Sequence, residues 1–186
     1  MSTFPAFRSG CALALALSLG FASAAAHAQT AYSAQQVLDF FVKDRAAALA
    51  AKANGVARQL CIGTAAECDP KNPNAIARFD LLVNFDYNSD KLTKAATDNL
   101  DLFAVALKDQ KLAGAKFGID GHTDASGGEE YNVGLSERRA ASVVAYLSGQ
   151  GVDAGALTAH GYGKSKPRVA DPFSGENRRV ETHLLD

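Results

Sequence analysis

The chain lacks an excess of charge of either sign, because 19 lysine and arginine residues face 20 aspartate and glutamate residues. Proteins that bind nucleic acid usually present a strongly basic surface, so this composition argues against a nucleic-acid partner. Long apolar runs are also scarce. The clearest one extends from Cys11 to about Phe21, which is about half of the ~20 apolar residues that a membrane-spanning helix needs.

That short run belongs to an N-terminal processing signal. Arg8 precedes it, and small residues follow it as far as Ala26-His27-Ala28. A charged start, an apolar core and an A-x-A site are the features of a cleaved secretory signal peptide. We therefore expect residues 1–28 to be removed and the protein to be exported. A lipid anchor is not expected, because a lipidated cysteine follows the apolar core and Cys11 precedes it.

Cysteine is scarce as well, and only Cys61 and Cys68 remain after the signal peptide. They lie in a loop-like stretch, and an exported chain meets an oxidising compartment in which such pairs form disulfides. We predict a Cys61–Cys68 disulfide within an N-terminal segment, residues 29–75. A metal site is not expected there, because it needs more ligands than this pair offers.

The remaining sequence changes repeatedly between helical and strand patterns. Apolar residues at helical spacing predict helices over residues 33–54, from about Thr93 to Leu107 and from about Glu130 to Gln150. Period-two alternation predicts strands over residues 81–85, 117–121, 157–161 and 178–184. This order indicates an α/β or α+β sandwich, with one mixed sheet and helices on one face.

The amphipathic helix over residues 33–54 leaves two interpretations open. Helices of this kind usually pack on their own domain. Alternatively, this helix binds an envelope protein partner or associates with a second copy of itself.

The loop that begins Gly121-His122-Thr123-Asp124 is the first place to look for chemistry, because it joins a strand to a helix. A metal site needs three or four ligands, and His160 and His183 are isolated in the sequence. The following residues, 127–134, contain no serine or cysteine nucleophile. We therefore expect neither catalysis nor a cofactor, and we expect His122 to form a structural hydrogen bond within its loop.

Asp124 and Arg139 are the strongest candidate pair. Asp124 lies on the loop, and Arg139 lies about two turns into the next helix. A loop that folds back over the helix would bring the two charges to one rim. Such a rim suits a zwitterion, because aspartate accepts from an ammonium group and arginine binds a carboxylate with two parallel hydrogen bonds. On spacing alone an ordinary surface salt bridge is the simpler interpretation, and such pairs contribute little.

A set of ordered motifs adds weight to the binding interpretation. They are F-D-Y-N-S-D at 85–90, G-H-T-D-A-S-G at 121–127, Y-N-V-G-L-S-E-R-R-A at 131–140, G-Y-G-K-S-K-P at 161–167 and N-R-R-V-E at 177–181. Together they resemble the OmpA-like domain, over about residues 79–185. The resemblance implies a β/α/β/α/β-type sandwich, here residues 76–186. It also implies non-covalent binding of the diaminopimelate residue in uncrosslinked peptidoglycan stems, at the cell wall or outer membrane.

The resemblance further implies roles for individual residues. Asp124 would receive the side-chain ammonium of diaminopimelate, and Arg139 would bind its carboxylate. Arg178 would complete the anion side in preference to Arg179, because strand alternation sends the two side chains to opposite faces. The groove would be lined and floored by Asn88, Asn132, Leu135 and Ser136. Members of this family usually carry a membrane tether, and none is visible in this sequence.

Overall fold

The computed structural model describes residues 32–55, 76–83, 85 and 88–185. The helices in this part are α1 (Ala34–Ala53), α2 (Lys94–Leu107) and α3 (Glu129–Gly149). The strands are β1 (Phe79–Asp80), β2 (Phe117–Gly121), β3 (Leu157–Gly161) and β4 (Val180–Leu184). They form one sheet in the order β1-β4-β2-β3, in which β2 and β3 are parallel and the other pairs antiparallel. The predicted mixed sandwich is confirmed.

Some predictions fall on parts of the chain that are not described. The signal peptide, the Cys61–Cys68 pair and the predicted domain boundary at residue 75 all lie outside the described residues.

Local capping explains where the first two helices begin. The Ser33 side chain accepts from the Gln36 amide, and the Gln36 side chain accepts from the Ser33 amide, which together form a capping box. The Thr93 hydroxyl accepts from the Ala96 amide in the same way at α2. Both helices begin within one residue of the start that the sequence predicts. Within the described ranges, no helix has the length and apolar character needed to cross a membrane.

One apolar core lies between the three helices and one face of the sheet. Its centre is a group of aromatic rings, in which the Phe41 ring centroid lies 6.0 Å from that of Phe103 and 5.2 Å from that of Phe117. The Tyr32 hydroxyl, just before α1, donates to the carbonyl oxygens of Leu81 and Asn99. Phe41 is fully buried, so α1 packs on its own domain, as the first of the two interpretations predicted.

The predicted first strand, residues 81–85, is wrong: β1 is Phe79–Asp80, which precedes it and is only two residues long. The β1–β4 ladder extends only one bond further, from the Leu81 amide to the Val180 carbonyl at 3.1 Å. Leu82 then adopts φ 48, and its amide donates to the Asp80 carboxylate at 2.9 Å instead of to a strand. A left-handed residue and a side chain that captures the amide both end a strand. The last strand likewise begins at Val180 and not at residue 178.

Helix α3 lies directly on β2 and β3 because two glycines leave room for its backbone. A Cβ atom at Gly121 would lie 2.2 Å from the Ser136 carbonyl oxygen, and one at Gly161 would lie 2.5 Å from the Glu137 amide nitrogen. This close contact holds the first half of α3 against the carboxyl ends of β2 and β3. The loop of residues 121–128 leaves the sheet at this edge.

Candidate functional site

Backbone contacts fix the loop that carries Asp124. The Thr123 amide donates to the Gly163 carbonyl at 2.9 Å, and the Ala125 amide donates to the Pro172 carbonyl at 2.8 Å. The Asp124 carboxylate accepts from the Ser126 amide at 2.9 Å. From α3, the buried Asn132 side chain donates to the Ser126 carbonyl at 2.9 Å. The Asp124 side chain is therefore held in place before any ligand contact is made.

Asp124 pairs with Arg178 and not with Arg139. An Arg178 guanidinium nitrogen lies 2.7 Å from the Asp124 carboxylate, and the two side chains are 54% and 10% exposed, respectively. Burial raises the pKa of the Asp124 carboxyl, but hydrogen bonds from Arg178 and Ser126 outweigh burial and leave the pKa below its ordinary value. Asp124 is thus a carboxylate that already has a cationic partner.

Arg139 is held between a carbonyl oxygen and an aromatic ring. Its Nε donates to the Ser89 carbonyl at 3.0 Å, and the guanidinium carbon lies 4.9 Å from the centroid of the Phe85 ring. Among the described residues, no acidic side chain lies within ion-pair distance of this guanidinium. Burial and the nearby Arg178 lower the pKa of Arg139, while the Asp124 charge acts in the opposite direction. A buried cation in this position favours an anionic ligand.

A cavity of about 150 Å³ opens between these side chains. Its lining includes Val83, Phe85, His122, Arg139, Arg178 and Arg179. Three of these six residues are arginines, and two of them have a carboxylate partner: Arg178 pairs with Asp124, and Arg179 pairs with Glu181. No group of three or more histidine, cysteine, aspartate or glutamate side chains in the described ranges could hold a metal ion.

His122 does not form the loop hydrogen bond that the sequence predicted. Neither ring nitrogen has a hydrogen-bond partner in the part of the chain that is described. The ring instead stacks on Tyr162 at 5.5 Å between centroids, and its Nε2 lies 3.6 Å from the Glu181 carboxylate. Burial and the Arg179 charge lower the pKa of His122 to about 3, so the imidazole is neutral near pH 7.

Three other predicted site residues, Asn88, Leu135 and Ser136, lie in different environments. Asn88 is exposed on the turn beside Ser89, with φ 52. Leu135 is buried in α3. Ser136 is fully buried, and its hydroxyl donates to the Val133 carbonyl and accepts from the Gly163 amide, so it supports the turn that holds Thr123. The structure therefore brings Asp124, Arg139 and Arg178 together, and Ser136 contacts the neighbouring turn at Gly163.

Sequence reasoning missed Phe85 and Arg179 as lining residues. Phe85 ends the apolar alternation of residues 81–85, which indicates a side chain that is at least partly buried but does not indicate the contact with Arg139. Arg179 points toward a second group of charges, which we call the Glu181 cluster and which consists of Glu181, Asp80, Asp120, Arg78, Arg168 and Arg179.

The Glu181 cluster covers the face of the sheet opposite to the core. Strand register places Asp80 and Asp120 on either side of Glu181, and such neighbouring like charges repel. Glu181 accepts hydrogen bonds at 2.7–2.8 Å from three arginines, namely Arg78, Arg168 and Arg179. Burial raises the pKa of Glu181, but these arginines hold it well below its usual range. The cluster therefore anchors Arg179 and stabilises the wall behind the cavity.

Known proteins are similar to this chain in sequence. The sequence profile of the OmpA family matches residues 84–181. The peptidoglycan-associated lipoprotein of Pseudomonas aeruginosa is 41% identical over 100 residues, which cover 52% of this chain and 58% of that protein. Outer membrane protein A of Bordetella avium is 33% identical over 130 residues, which cover 67% of each chain.

A solved structure supports the fold. The OmpA-like domain of FopA1 from Francisella tularensis matches with a TM-score of 0.51 and 22% identity, over 57% of this chain and 70% of that one. The chain spans 58–65% of the length of the peptidoglycan-associated lipoproteins that it matches. Because the family profile covers more than half of the sequence, the chain belongs to the OmpA family.

Proposed function

We propose that this protein binds the peptide stem of peptidoglycan reversibly and without catalysis, in the periplasm at the cell wall or outer membrane. Membership of the OmpA family and similarity to proteins named peptidoglycan-associated lipoprotein support this function and this location. The single observation that carries the proposal is that Arg139 and Arg178 line one cavity and that the Asp124 carboxylate lies beside it, 2.7 Å from the Arg178 guanidinium.

The ligand that fits this arrangement is the side chain of diaminopimelate, which carries an ammonium group and a carboxylate on one carbon. Asp124 receives the ammonium group, and Arg139 receives the carboxylate. The Ser89 carbonyl and the Phe85 ring already orient the Arg139 guanidinium, so little side-chain freedom is lost on binding. A small, rigid and doubly charged site of this kind suits weak, reversible attachment to a polymer with many copies of the ligand.

Co-sedimentation with purified sacculi tests the proposal. The wild-type protein should pellet with the sacculi, while Asp124→Ala and Arg139→Ala should remain largely in the supernatant. Removing one partner of a buried charged contact costs roughly 2–5 kcal/mol, equivalent to a loss in affinity of at least about thirtyfold. Arg138→Gln is the matched control, because Arg138 neighbours Arg139 on α3 but is 53% exposed and pairs with Asp90. Equal pelleting of wild type and both alanine variants would sink the proposal.

The same incubation separates binding from hydrolysis. A wall hydrolase would release soluble muropeptides from the sacculi, which chromatography of the supernatant detects. We expect no release above that of sacculi incubated alone.

A role as an adaptor is the second candidate, and one exposed apolar residue on α1 supports it. The inner face of α1 packs in the core, whereas Leu49 on the same helix is 59% exposed. Deleting α1 would remove Phe41 from the core, so a surface substitution is the better test. If α1 holds an envelope partner, in-cell cross-links of the wild-type protein should be lost in Leu49→Lys and kept in Asp124→Ala.

A further inference from the structure

The end of the domain opposite to Asp124 carries a group of lysines. Strand β2 begins at this end, whereas the loop of residues 121–128 leaves its other end. Helix α1 runs toward the same end, because Arg45 donates to the Lys111 carbonyl at 3.1 Å, in the 3₁₀ turn Gln110–Leu112 between α2 and β2. The last residues of α1 extend about 12 Å beyond Arg45. We call this surface the basic end, and its lysines are Lys52, Lys108, Lys111 and Lys116.

The four lysines of the basic end are exposed, and no acidic side chain in the described ranges lies within ion-pair distance of them. Two aspartates are nearby, Asp109 and Asp153, but their carboxylates accept from backbone amides of their own turns. The Lys108 ammonium group donates to the Gln150 carbonyl at 2.9 Å. The basic end therefore presents positive charge to the solvent.

Apolar side chains lie among these charges. Leu49 follows Arg45 by four residues and precedes Lys52 by three, so the three side chains share one face of α1. Leu49 is 59% exposed, and Val105, which is 58% exposed, lies one turn before Lys108. A groove of about 370 Å³ opens at Lys108, and its lining includes Leu107, Leu112, Ala113, Val152 and Lys116.

An anionic phospholipid bilayer is the partner that fits this combination. Lysine is depleted in protein–protein interfaces, whereas lysines near an anionic membrane surface are attracted to its headgroups. A long lysine side chain also lets the ammonium group reach a phosphate while the stem stays on apolar surface. Leu49 and Val105 can then enter the interfacial region of the bilayer, as the apolar residues of surface-bound helices do.

We propose that the basic end docks reversibly on an anionic phospholipid bilayer, with its lysines on the headgroup phosphates. The loop that carries Asp124 lies at the opposite end of the domain, so docking leaves that loop accessible. The inference goes beyond the proposed function and does not depend on it.

Flotation of the protein, purified from the periplasm, with lipid vesicles tests the inference. Vesicles of phosphatidylcholine with about 30% phosphatidylglycerol should bind wild type at about 50 mM salt, and about 500 mM salt should abolish binding by screening the attraction. Vesicles of phosphatidylcholine alone should not bind it. The triple variant Lys108→Gln, Lys111→Gln, Lys116→Gln should bind more weakly by about fivefold for each lysine, or about a hundredfold in all.

A second triple variant, Lys91→Gln, Lys94→Gln, Lys164→Gln, is the matched control. It removes the same charge from the other end of the domain, where Lys94 begins α2 and Lys164 donates to the Gly127 carbonyl. This variant should bind the vesicles as wild type does, and urea unfolding of both variants checks that they fold.

The inference is wrong if wild type floats equally with both kinds of vesicle or with neither, or if the two triple variants lose the same affinity. If wild type binds no vesicle and Leu49→Lys loses its cross-links in cells, the surface belongs to a protein partner instead. None of these results depends on sacculi, so the proposed function would stand.

Discussion

Replacing Glu181 by glutamine should destabilise the fold strongly. Glu181 is 7% exposed and is the common acceptor for three arginines. The Arg78 and Arg179 side chains are only 16% and 9% exposed, so they cannot regain water when the carboxylate is lost. Breaking a buried ion pair by removing one partner costs about 3–5 kcal/mol. Arg168 is more exposed and should add little to this loss.

Urea unfolding at pH 7 measures the effect. We expect the free energy of unfolding of Glu181→Gln to fall by about 3–5 kcal/mol with an unchanged slope against urea. A loss of this size lowers the melting temperature by roughly 6–20 °C in a protein of this size. Glu137→Gln, an exposed position on α3, is the matched control and should stay within about 0.5 kcal/mol of wild type.

The effect should also depend on pH in a defined direction. The folded-state pKa of Glu181 is lowered, so its contribution is fully present above the ordinary glutamate pKa and is lost as the pH falls through the folded pKa. The difference between wild type and Glu181→Gln should therefore shrink below about pH 4. Equal urea midpoints at pH 7 would show that Glu181 does not hold the arginines.

Three further predictions concern the core, the buried histidine and the cysteines. Phe41→Ala should lower the free energy of unfolding by about 3–5 kcal/mol in a single transition, and an unchanged stability would show that α1 is not part of the core. His122 is held neutral in the folded protein, with a pKa of about 3. As the pH is lowered from about 6 to about 4, the unfolded chain therefore binds a proton at this histidine that the folded chain excludes. The free energy of unfolding should then fall by up to about 1.4 kcal/mol per pH unit. In His122→Phe, urea titrations at pH 7 and pH 5 should show a smaller loss of stability between the two pH values than in wild type. An unchanged loss would show that another group binds the proton. Thiol labelling of denatured periplasmic protein should detect neither Cys61 nor Cys68 before reduction and both after it, whereas labelling without reduction would exclude the disulfide.

Elements fixed by local contacts were predictable from the sequence. Both capped helices begin where predicted, because Ser33 and Thr93 satisfy amides only three residues away. The alternation of Leu81 and Val83 correctly predicted that both side chains are buried. The strand that it also predicted does not form there, because the Leu82 amide between them donates to the Asp80 carboxylate. Period-two alternation reports which side of the chain is buried, and it does not report whether the backbone pairs.

The site was only partly predictable, for a related reason. Asp124 and Arg139 followed from their places on a loop and the next helix. Arg178 was preferred over Arg179 because of strand alternation, yet both residues precede β4. Their different directions come from different partners: Arg179 pairs with Glu181 two residues away, and Arg178 pairs with Asp124, a long-range contact that a local pattern cannot predict. The Glu181 cluster was missed because its acids meet only through the register of three strands.

Peptidoglycan binding at the rim formed by Asp124 and Arg139 is tested most directly by an NMR titration of the protein with the diaminopimelate tripeptide. The largest amide shifts should fall on residues 121–128, on Ser89, at the start of α3 and on Arg178, and they should disappear in Arg139→Ala. Shifts confined to the exposed face of α1, or no shifts at millimolar peptide, would contradict binding at this site.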